Sequence, residues 1–309
     1  MRVAVTGAQG RLGRALIEAL ENAPFTGTRG PIAWSRPELD LDTLTVASVA
    51  ALIERDRPEV LIHAAAWTDV DGCARDPGLA MRRNAVAAGL IADACASDGV
   101  HLAVVSTNEV FDGGRTDGLG YAPADPPHPV NAYGESKLEA EGLTTRAMGQ
   151  AGGTPVAIVR TAWLHGPPGN DFPAKIAGAA LRAKAAGEPL RVVGDEIGTP
   201  TYTPDVADAI VELIWENALF DEAAPSTIHH LVNAGRASRA DWAREVLRAA
   251  SIDVAIEEVP ASTWQRASTP PLWAVLEPTP LPSGEPMRDW RLAFADAVPA
   301  LNRELRSAR

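Results

Sequence analysis

Cysteine is scarce in this sequence. Cys73 and Cys95 are the only two among 309 residues, no second cysteine pair accompanies them, and no histidine stands at metal-ligand spacing. A disulfide framework and a structural zinc site are therefore both disfavoured, and we expect no bound metal. The scarcity also favours a reducing compartment.

Long apolar runs are absent as well. No uninterrupted apolar stretch reaches the roughly 18 residues that a membrane-spanning helix requires. The chain runs from Met1 and Arg2 straight into a strand pattern, without the apolar segment and small-residue cleavage site of a secretory signal. These features predict a cytoplasmic protein with no membrane partner.

Positive charge is in the minority. The sequence has 28 Lys and Arg against 40 Asp and Glu, which gives a formal net charge of -12. The charge spreads over the whole chain, so its field repels phosphate backbones and anionic membranes. We therefore predict no nucleic-acid partner.

With 46% hydrophobic and 22% charged residues, the composition is that of a globular protein with a large core.

Short β-branched runs alternate with helical patterns through the first half of the sequence. The predicted strands cover residues 3–6, 32–34, 60–62, 102–106 and 156–159, and the predicted helices lie near 12–20, 46–54, 81–95 and 132–147. The strands are continuously apolar, as expected where both faces are buried. The pattern predicts an α/β fold with a Rossmann-type doubly wound parallel sheet.

The sequence pattern changes after Trp163, where prolines interrupt a series of short predicted elements. We predict a smaller, interleaved C-terminal substrate domain formed by residues 165–202 and 259–309, with residues 1–164 and 203–258 as the dinucleotide-binding domain. A helix with Thr203 as its N-cap and Pro204 in its first turn should return the chain to the sheet, followed by a strand at 228–232. Residues 259–288 are rich in Pro and Trp and predict a loop-rich lid.

A glycine-rich turn follows the first predicted strand. Gly7, Gly10 and Gly13 open a helix there, with Arg11 and Leu12 between the last two glycines. A helix start offers free backbone N–H groups and a positive dipole end, and glycines let the backbone approach a pyrophosphate. The turn predicts a dinucleotide site, with a spacing that resembles the short-chain dehydrogenase pattern.

The end of the second strand predicts the choice of cofactor. Ser35 and Arg36 stand there, and a hydroxyl with a guanidinium suits the 2′-phosphate of NADP(H). Asp40 and Asp42 lie close enough to keep NAD(H) open as the alternative, and Arg36 is otherwise a solvated surface charge. We expect Asp40 and Leu41 to border the adenine.

Tyr133 and Lys137 stand four residues apart in a predicted helix, so both side chains lie on one face. A free tyrosine titrates near pH ~10, and a neighbouring ammonium should bring its pKa towards a useful range. Thr107 follows the fourth strand, at the edge where ligands bind in open α/β sheets. The three side chains predict a proton-transfer group, whereas the pair by itself is also typical of two ordinary surface residues.

These motifs together resemble the dTDP-4-dehydrorhamnose reductase family of extended short-chain dehydrogenases, over nearly the whole sequence. Beyond the glycine turn and the tyrosine and lysine, the segments that carry the resemblance are His63-Ala64-Ala65-Ala66-Trp67-Thr68-Asp69-Val70-Asp71, Asn84, Ser106-Thr107 with Val110-Phe111-Asp112-Gly113, Arg160-Thr161-Ala162-Trp163 and Asp195-Glu196-Ile197-Gly198-Thr199-Pro200-Thr201.

The resemblance implies reduction of the 4-keto group of dTDP-4-dehydro-L-rhamnose to dTDP-L-rhamnose, with the tyrosine as proton donor and the reduced nicotinamide as hydride donor. It implies a catalytic group of Thr107, Tyr133 and Lys137, the last two also touching the cofactor. The further cofactor residues it implies are Ala64, Ala65, Ala66, Trp67 and Thr68, and the substrate residues are Thr107, Asn108 and Trp163.

The sequence departs from the family pattern where the sugar should lie. Asn108-Glu109 stands in place of the usual Asp-Tyr, which brings a carboxylate towards an anionic ligand. The stretch from Pro270 to Ala274 lacks the usual Arg-Pro step and serine, and His63 replaces a common asparagine. Two alternatives therefore stay open: a reductase of another nucleotide sugar, and a catalytically silent NADP-binding regulatory subunit. A homodimer also stays open.

Overall fold

A parallel sheet forms the centre of the molecule. The computed structural model describes residues 1–150, 154–221, 223–224 and 226–307. The strands of this part of the chain are β1 (Val3–Thr6), β2 (Ile32–Trp34), β3 (Val60–His63), β4 (His101–Thr107), β5 (Val156–Thr161), β6 (Leu164–His165), β7 (Leu190–Val193), β8 (Ile197–Gly198), β9 (Thr201–Tyr202), β10 (Ser226–His230), β11 (Ala237–Ser238) and β12 (Ile256–Val259).

Helices cover both faces of this sheet. The α-helices are α1 (Arg11–Asn22), α2 (Val46–Asp56), α3 (Val70–Arg75), α4 (Pro77–Ala80), α5 (Ala87–Asp98), α6 (Ala132–Gln150), α7 (Phe172–Ala186), α8 (Thr203–Trp215), α9 (Arg239–Ala249) and α10 (Trp290–Ser307). A π-helical segment, Met81–Val86, joins α4 to α5, and 3-10 turns cover Gly27–Arg29, Asn108–Val110 and Ala261–Thr263. Within the described ranges, no helix has the length and apolarity needed to span a bilayer.

The six strands of the main sheet pair in the order β2-β1-β3-β4-β5-β10, and every pair is parallel. The chain leaves β1 towards β2 on one side and returns to β3 on the other, so the order reverses between β1 and β3. Ligands bind in open α/β sheets at the carboxyl ends of the strands beside such a reversal. The predicted doubly wound parallel sheet is confirmed.

Two apolar clusters fill the space between the sheet and its helices. On one face, Leu16 and Leu20 of α1 pack with Ile210 of α8 against β1, β3 and β5. On the other face, Ile53 of α2 and Ile91 of α5 pack against the same strands. Because apolar side chains cover both faces, the strands read as continuous apolar runs instead of alternating ones.

Two predicted boundaries in the second half of the chain are wrong. The last strand of the sheet ends at His230, which pairs with Arg160, whereas residues up to 232 were expected in it. The Leu231 amide still donates to the Arg160 carbonyl oxygen at 3.0 Å, but Leu231 and Val232 have no partner residues in the strand register, and both are fully buried. The N-cap of α8 is Tyr202, and the hydroxyl of Thr203 donates to the carbonyl oxygen of His165 at 3.2 Å.

A smaller layer lies beside the main sheet. Helices α7, α9 and α10 share one apolar cluster centred on Trp242 and Trp290, and β12 pairs with β7. We therefore propose that the substrate-binding region takes in residues 237–258, which the sequence pattern had grouped with the dinucleotide-binding domain. Residues 264–288 hold no α-helix or strand, as expected for a loop-rich segment, and α10 follows them.

Candidate active site

The glycine-rich turn lies at the carboxyl end of β1 and leads into α1. Gly7 has a φ of +65°, and a Cβ atom at this position would come within 2.9 Å of the Ala65 backbone. The Gly10 amide donates to the Gly7 carbonyl oxygen at 2.8 Å, which closes the turn. The first N–H groups of α1 have no partner inside the helix. The free N–H groups of the turn fit a dinucleotide phosphate, and a side chain at Gly7 or Gly13 would overlap the neighbouring backbone and disrupt the turn.

The guanidinium of Arg11 is bonded to a nearby loop and is not free to bind a phosphate. Its guanidinium donates to the carbonyl oxygens of Gly166, Pro168 (2.6 Å) and Gly169 (3.1 Å), and it also pairs with Asp171 at 3.3 Å. The side chain lines the cleft, but these hydrogen bonds hold its guanidinium against the loop. Contact of its guanidinium with a cofactor stays a prediction, as does a cofactor contact of Leu12.

The residues predicted to bind the 2′-phosphate of NADP(H) lie beyond the carboxyl end of β2. The Arg36 side chain is 65% exposed, and its Nε atom lies 3.9 Å from an Asp40 carboxylate oxygen. Asp42 accepts two hydrogen bonds from Arg83, at 2.6 and 2.7 Å, and Arg83 also lies over the Trp67 ring. Arg83 is a second cation at this end of the sheet that the sequence pattern did not reveal. The cofactor contacts predicted for Ser35, Arg36, Asp40 and Leu41 stay predictions.

The strand end and the helix bring Thr107, Tyr133 and Lys137 into one cleft. Thr107 is the last residue of β4, and the tyrosine and lysine stand one turn apart near the start of α6. All three are buried and line a cleft of about 440 Å³. The glycine turn lines the same cleft, together with Ala64, Ala66 and Thr68 after β3. The backbone of Ala65 lies behind this wall, where its amide donates to the Thr6 hydroxyl at 3.1 Å.

Asn84 fixes the wall of the cleft from the π-helical segment. Its side-chain oxygen accepts from the Trp67 amide at 2.7 Å, and its amide group donates to the Ser136 hydroxyl at 3.0 Å and to the Trp67 carbonyl oxygen at 3.1 Å. The residue thereby ties the loop after β3 to α6. Single π-helical turns of this kind are frequent at functional sites.

Burial raises the pKa of Tyr133, and the carboxylate of Glu109 raises it further, while a hydrogen bond with Thr107 acts in the opposite direction. The expectation that Lys137 brings this pKa down is wrong, because loss of solvent contact is the largest effect. The phenol therefore stays protonated at neutral pH, which is the form a proton donor requires.

Lys137 is a fully buried cation. Burial lowers its pKa to about 8, and Glu141, one turn further along α6, acts against that shift. Glu141 is itself held by two hydrogen bonds from Arg160, at 3.0 and 2.7 Å, and by one from Ser106 at 2.5 Å. The Lys137 charge beside the cleft thus has a fixed electrostatic partner.

His63, at the end of β3, is neutral. Burial lowers its pKa to about 3, and the Lys137 charge acts in the same direction. The Nδ1 atom lies 2.8 Å from the Thr6 hydroxyl. The histidine is therefore a buried, neutral residue bonded to the Thr6 side chain.

Trp163 and Asn108 lie on the side of the cleft away from β1. Trp163 has a φ of +40°, stacks on Trp242 at 5.9 Å between ring centroids, and carries the Arg239 guanidinium 3.5 Å from its own centroid. Asn108 accepts from the Thr107 hydroxyl and donates to the Ala274 carbonyl oxygen, both at 3.3 Å. Asn108 therefore connects the end of β4 to the C-terminal segment.

A second cleft of about 670 Å³ continues from the first, and Arg11, Thr68, Val70, Glu109 and Trp163 line both. Its walls carry charged groups that sequence reasoning missed. Arg239 and Arg266 pair with opposite oxygens of the buried Glu196, at 3.3 and 2.9 Å.

The same wall contains polar groups of the kind that the stretch from Pro270 to Ala274 lacks. Arg266 and Ser268, a few residues upstream, bring a guanidinium and a hydroxyl into the second cleft. Ser268 is held by Asp71 of α3, which accepts from its hydroxyl at 2.6 Å and from its amide at 3.1 Å. A comparison with the family motif at positions 270–274 alone does not reveal these two polar groups, because they come from residues just upstream.

A dinucleotide-type turn facing a tyrosine and a lysine on a doubly wound sheet defines an oxidoreductase of the short-chain dehydrogenase class. Over residues 1–303 the sequence matches the family model described as RmlD substrate binding domain. The chain belongs to this family, and both the predicted family and the predicted enzyme class are confirmed.

Known proteins of this family resemble the chain over nearly all its length. A dTDP-4-dehydrorhamnose reductase of Streptomyces griseus is 33% identical over 96% of this chain and 93% of its own. A dTDP-4-keto-6-deoxy-D-glucose reductase of Streptomyces niveus is 33% identical, covering 96% of each chain. The crystal structure of dTDP-4-dehydrorhamnose reductase from Bacillus anthracis in complex with NADP is 30% identical, with a TM-score of 0.82 over 96% of this chain and 98% of that one.

Proposed function

We propose that this protein is an NADPH-dependent reductase of the 4-keto group of a nucleotide-linked 6-deoxy sugar, with dTDP-4-dehydro-L-rhamnose reduced to dTDP-L-rhamnose. The observation that carries the proposal is the convergence of Thr107, Tyr133 and Lys137 with the glycine turn in one cleft. The names of the relatives and the NADP complex of the Bacillus anthracis enzyme support the same substrate and cofactor.

The residues of the cleft divide the chemistry among them. When bound, NADPH supplies a hydride to the carbonyl carbon. Tyr133 gives its phenolic proton to the carbonyl oxygen, so that C=O becomes CH–OH, and its raised pKa keeps that proton in place beforehand. Lys137 stabilises the negative charge left on the phenol oxygen. The Thr107 hydroxyl orients the carbonyl by hydrogen bonding.

The second cleft suits the nucleotide diphosphate of the substrate. Arg239 and Arg266 present two guanidinium groups there, and guanidinium matches phosphate geometry in a bidentate manner. Trp163, at the junction of the clefts, offers an aromatic face to the sugar.

The cytoplasmic location, the homodimer and the absence of a nucleic-acid partner stay predictions.

Turnover is the direct test of this function. The purified protein should oxidise NADPH when dTDP-4-dehydrorhamnose is added, and it should use NADH more slowly if Arg36 reads the 2′-phosphate. Loss of NADPH absorbance measures the rate, with omission of the sugar as the control. Tight NADPH binding without turnover on any nucleotide keto sugar would instead support the regulatory-subunit alternative.

The pH dependence of the rate should report Lys137. The ammonium is the useful form, and burial lowers its pKa to about 8, so kcat/KM should be steady at neutral pH and fall as the pH rises through about 8. In Lys137→Arg the guanidinium stays charged over this range, so the alkaline fall should disappear even though the absolute rate is lower. An identical alkaline limb in the wild type and this variant would contradict the assignment.

A further inference from the structure

Glu109 occupies a locked position between the proposed catalytic residues. Its amide donates to the Thr107 hydroxyl oxygen at 3.2 Å. Its carbonyl oxygen packs against Gly134, the residue after Tyr133, so closely that a Cβ there would overlap it. The backbone of Glu109 is thus fixed by contacts beside both Thr107 and Tyr133.

The Glu109 side chain is held as firmly as its backbone. Asn131 donates to Oε2 at 2.7 Å, and its amide group also donates to the Thr269 carbonyl oxygen at 3.0 Å. Asn131 is in turn fixed to the first turn of α6, since its oxygen accepts from the Gly134 amide at 2.9 Å. In the part of the chain that the structure describes, Oε1 has no hydrogen-bond donor. Glu109 is half-buried and lines both clefts.

The surroundings indicate which group would bind this carboxylate. Burial raises the pKa of Glu109, while Asn131, Arg239 and Arg266 act in the opposite direction. Glu196 pairs with both guanidinium groups and offsets part of their charge, but the two arginines still exceed it by one positive charge, which disfavours a further cation such as a substrate ammonium. A neutral hydroxyl can donate to the free oxygen without that repulsion.

We propose that Glu109 is a specificity-determining residue that accepts a hydrogen bond from a hydroxyl on the sugar carbon next to the carbonyl. The inference rests on the proposed function and names its substrate class more closely: keto sugars with a hydroxyl neighbouring the reacting carbon. In the proposed mechanism Thr107 and Tyr133 bracket the carbonyl oxygen. Glu109 is fixed beside both and lines the cleft they share, which places its carboxylate within reach of the neighbouring sugar carbon. A substrate without the hydroxyl leaves Oε1 of this half-buried carboxylate without a donor, so the site should disfavour it.

The test compares three substrates in three proteins. The substrates are a nucleotide-linked 4-keto-6-deoxy sugar with a 3-hydroxyl, its 3-deoxy counterpart and its 3-amino counterpart. The wild type should favour the hydroxyl over the 3-deoxy compound by at least about 100-fold in kcat/KM. Glu109→Leu should reduce this ratio to less than about 10-fold, and Glu109→Gln, which keeps an acceptor oxygen, should retain more of it.

Several outcomes separate the inference from the proposed function. Thermal unfolding and NADPH affinity show that the variants are folded, and the control variant Glu135→Leu, at an exposed glutamate on α6 close to Tyr133, should leave the ratio unchanged. A ratio in Glu109→Leu equal to that of the wild type overturns the inference, as does a preference for the 3-amino sugar. If the wild type turns over none of the three, the proposed function fails. The inference is then tested by calorimetric affinities for the corresponding 4-hydroxy sugars, where the same loss of ratio supports it and an unchanged ratio overturns it.

Discussion

Tyr133→Phe should lower kcat/KM for the keto sugar by about 100-fold to 10,000-fold, since it removes one hydroxyl and the proton it donates. The ring is buried, and the hydroxyl is the only group lost, so the fold and NADPH affinity should be preserved. Steady-state rates of NADPH oxidation measure the loss. The loss should fall mainly on kcat, because the phenol acts when the proton moves and not when the nucleotide binds.

The matched control is Tyr202→Phe. Tyr202 lies just before α8, outside the cleft that holds Tyr133, and has no hydrogen bond to its hydroxyl among the described residues. Its removal should leave the rate unchanged. An undiminished rate in Tyr133→Phe would remove the proposed proton donor, whatever the control shows.

Arg160→Met should lower the free energy of unfolding by about 3–5 kcal/mol, because it leaves the buried Glu141 without its partner. Arg160 is 2% exposed and donates two hydrogen bonds to Glu141, so the change strands a carboxylate in the core. Equilibrium denaturation at neutral pH measures the difference. Activity should fall as well, since Glu141 is the fixed partner of Lys137.

The same helix offers a matched surface pair. Arg146 and Glu139 lie 3.0 Å apart with side chains 58% and 47% exposed. Arg146→Met should change stability by less than about 1 kcal/mol, because water screens and replaces an exposed ion pair. Equal losses in the two variants would show that the buried pair has no special role.

Much of the site could be predicted from local sequence. The glycine turn, the four-residue spacing of Tyr133 and Lys137, and the position of Thr107 at a strand end all depend on neighbours along the chain. Local spacing sets backbone geometry directly, because helical periodicity places residues four apart on one face. The parallel sheet then places the carboxyl ends of β1, β3 and β4 at one edge, so these elements meet as expected.

The second cleft could not be predicted in the same way. Glu196, Arg239 and Arg266 come from three segments that are distant in sequence. The pairing of β8 with β11 brings Glu196 beside Arg239, and the loop after β12 adds Arg266. No spacing rule connects them. The pKa of Tyr133 was mispredicted for a related reason, since burial is a property of the whole fold and here outweighs the effect of the neighbouring lysine.

A crystal structure of the protein with NADP and dTDP-L-rhamnose would test the central claim most directly, through the distance between the Tyr133 hydroxyl and the sugar oxygen on carbon 4. We predict about 3 Å, a hydrogen bond, with the dinucleotide phosphates on the turn from Gly7 to Gly13. A phenol directed away from the sugar, or a dinucleotide bound elsewhere, would contradict the account.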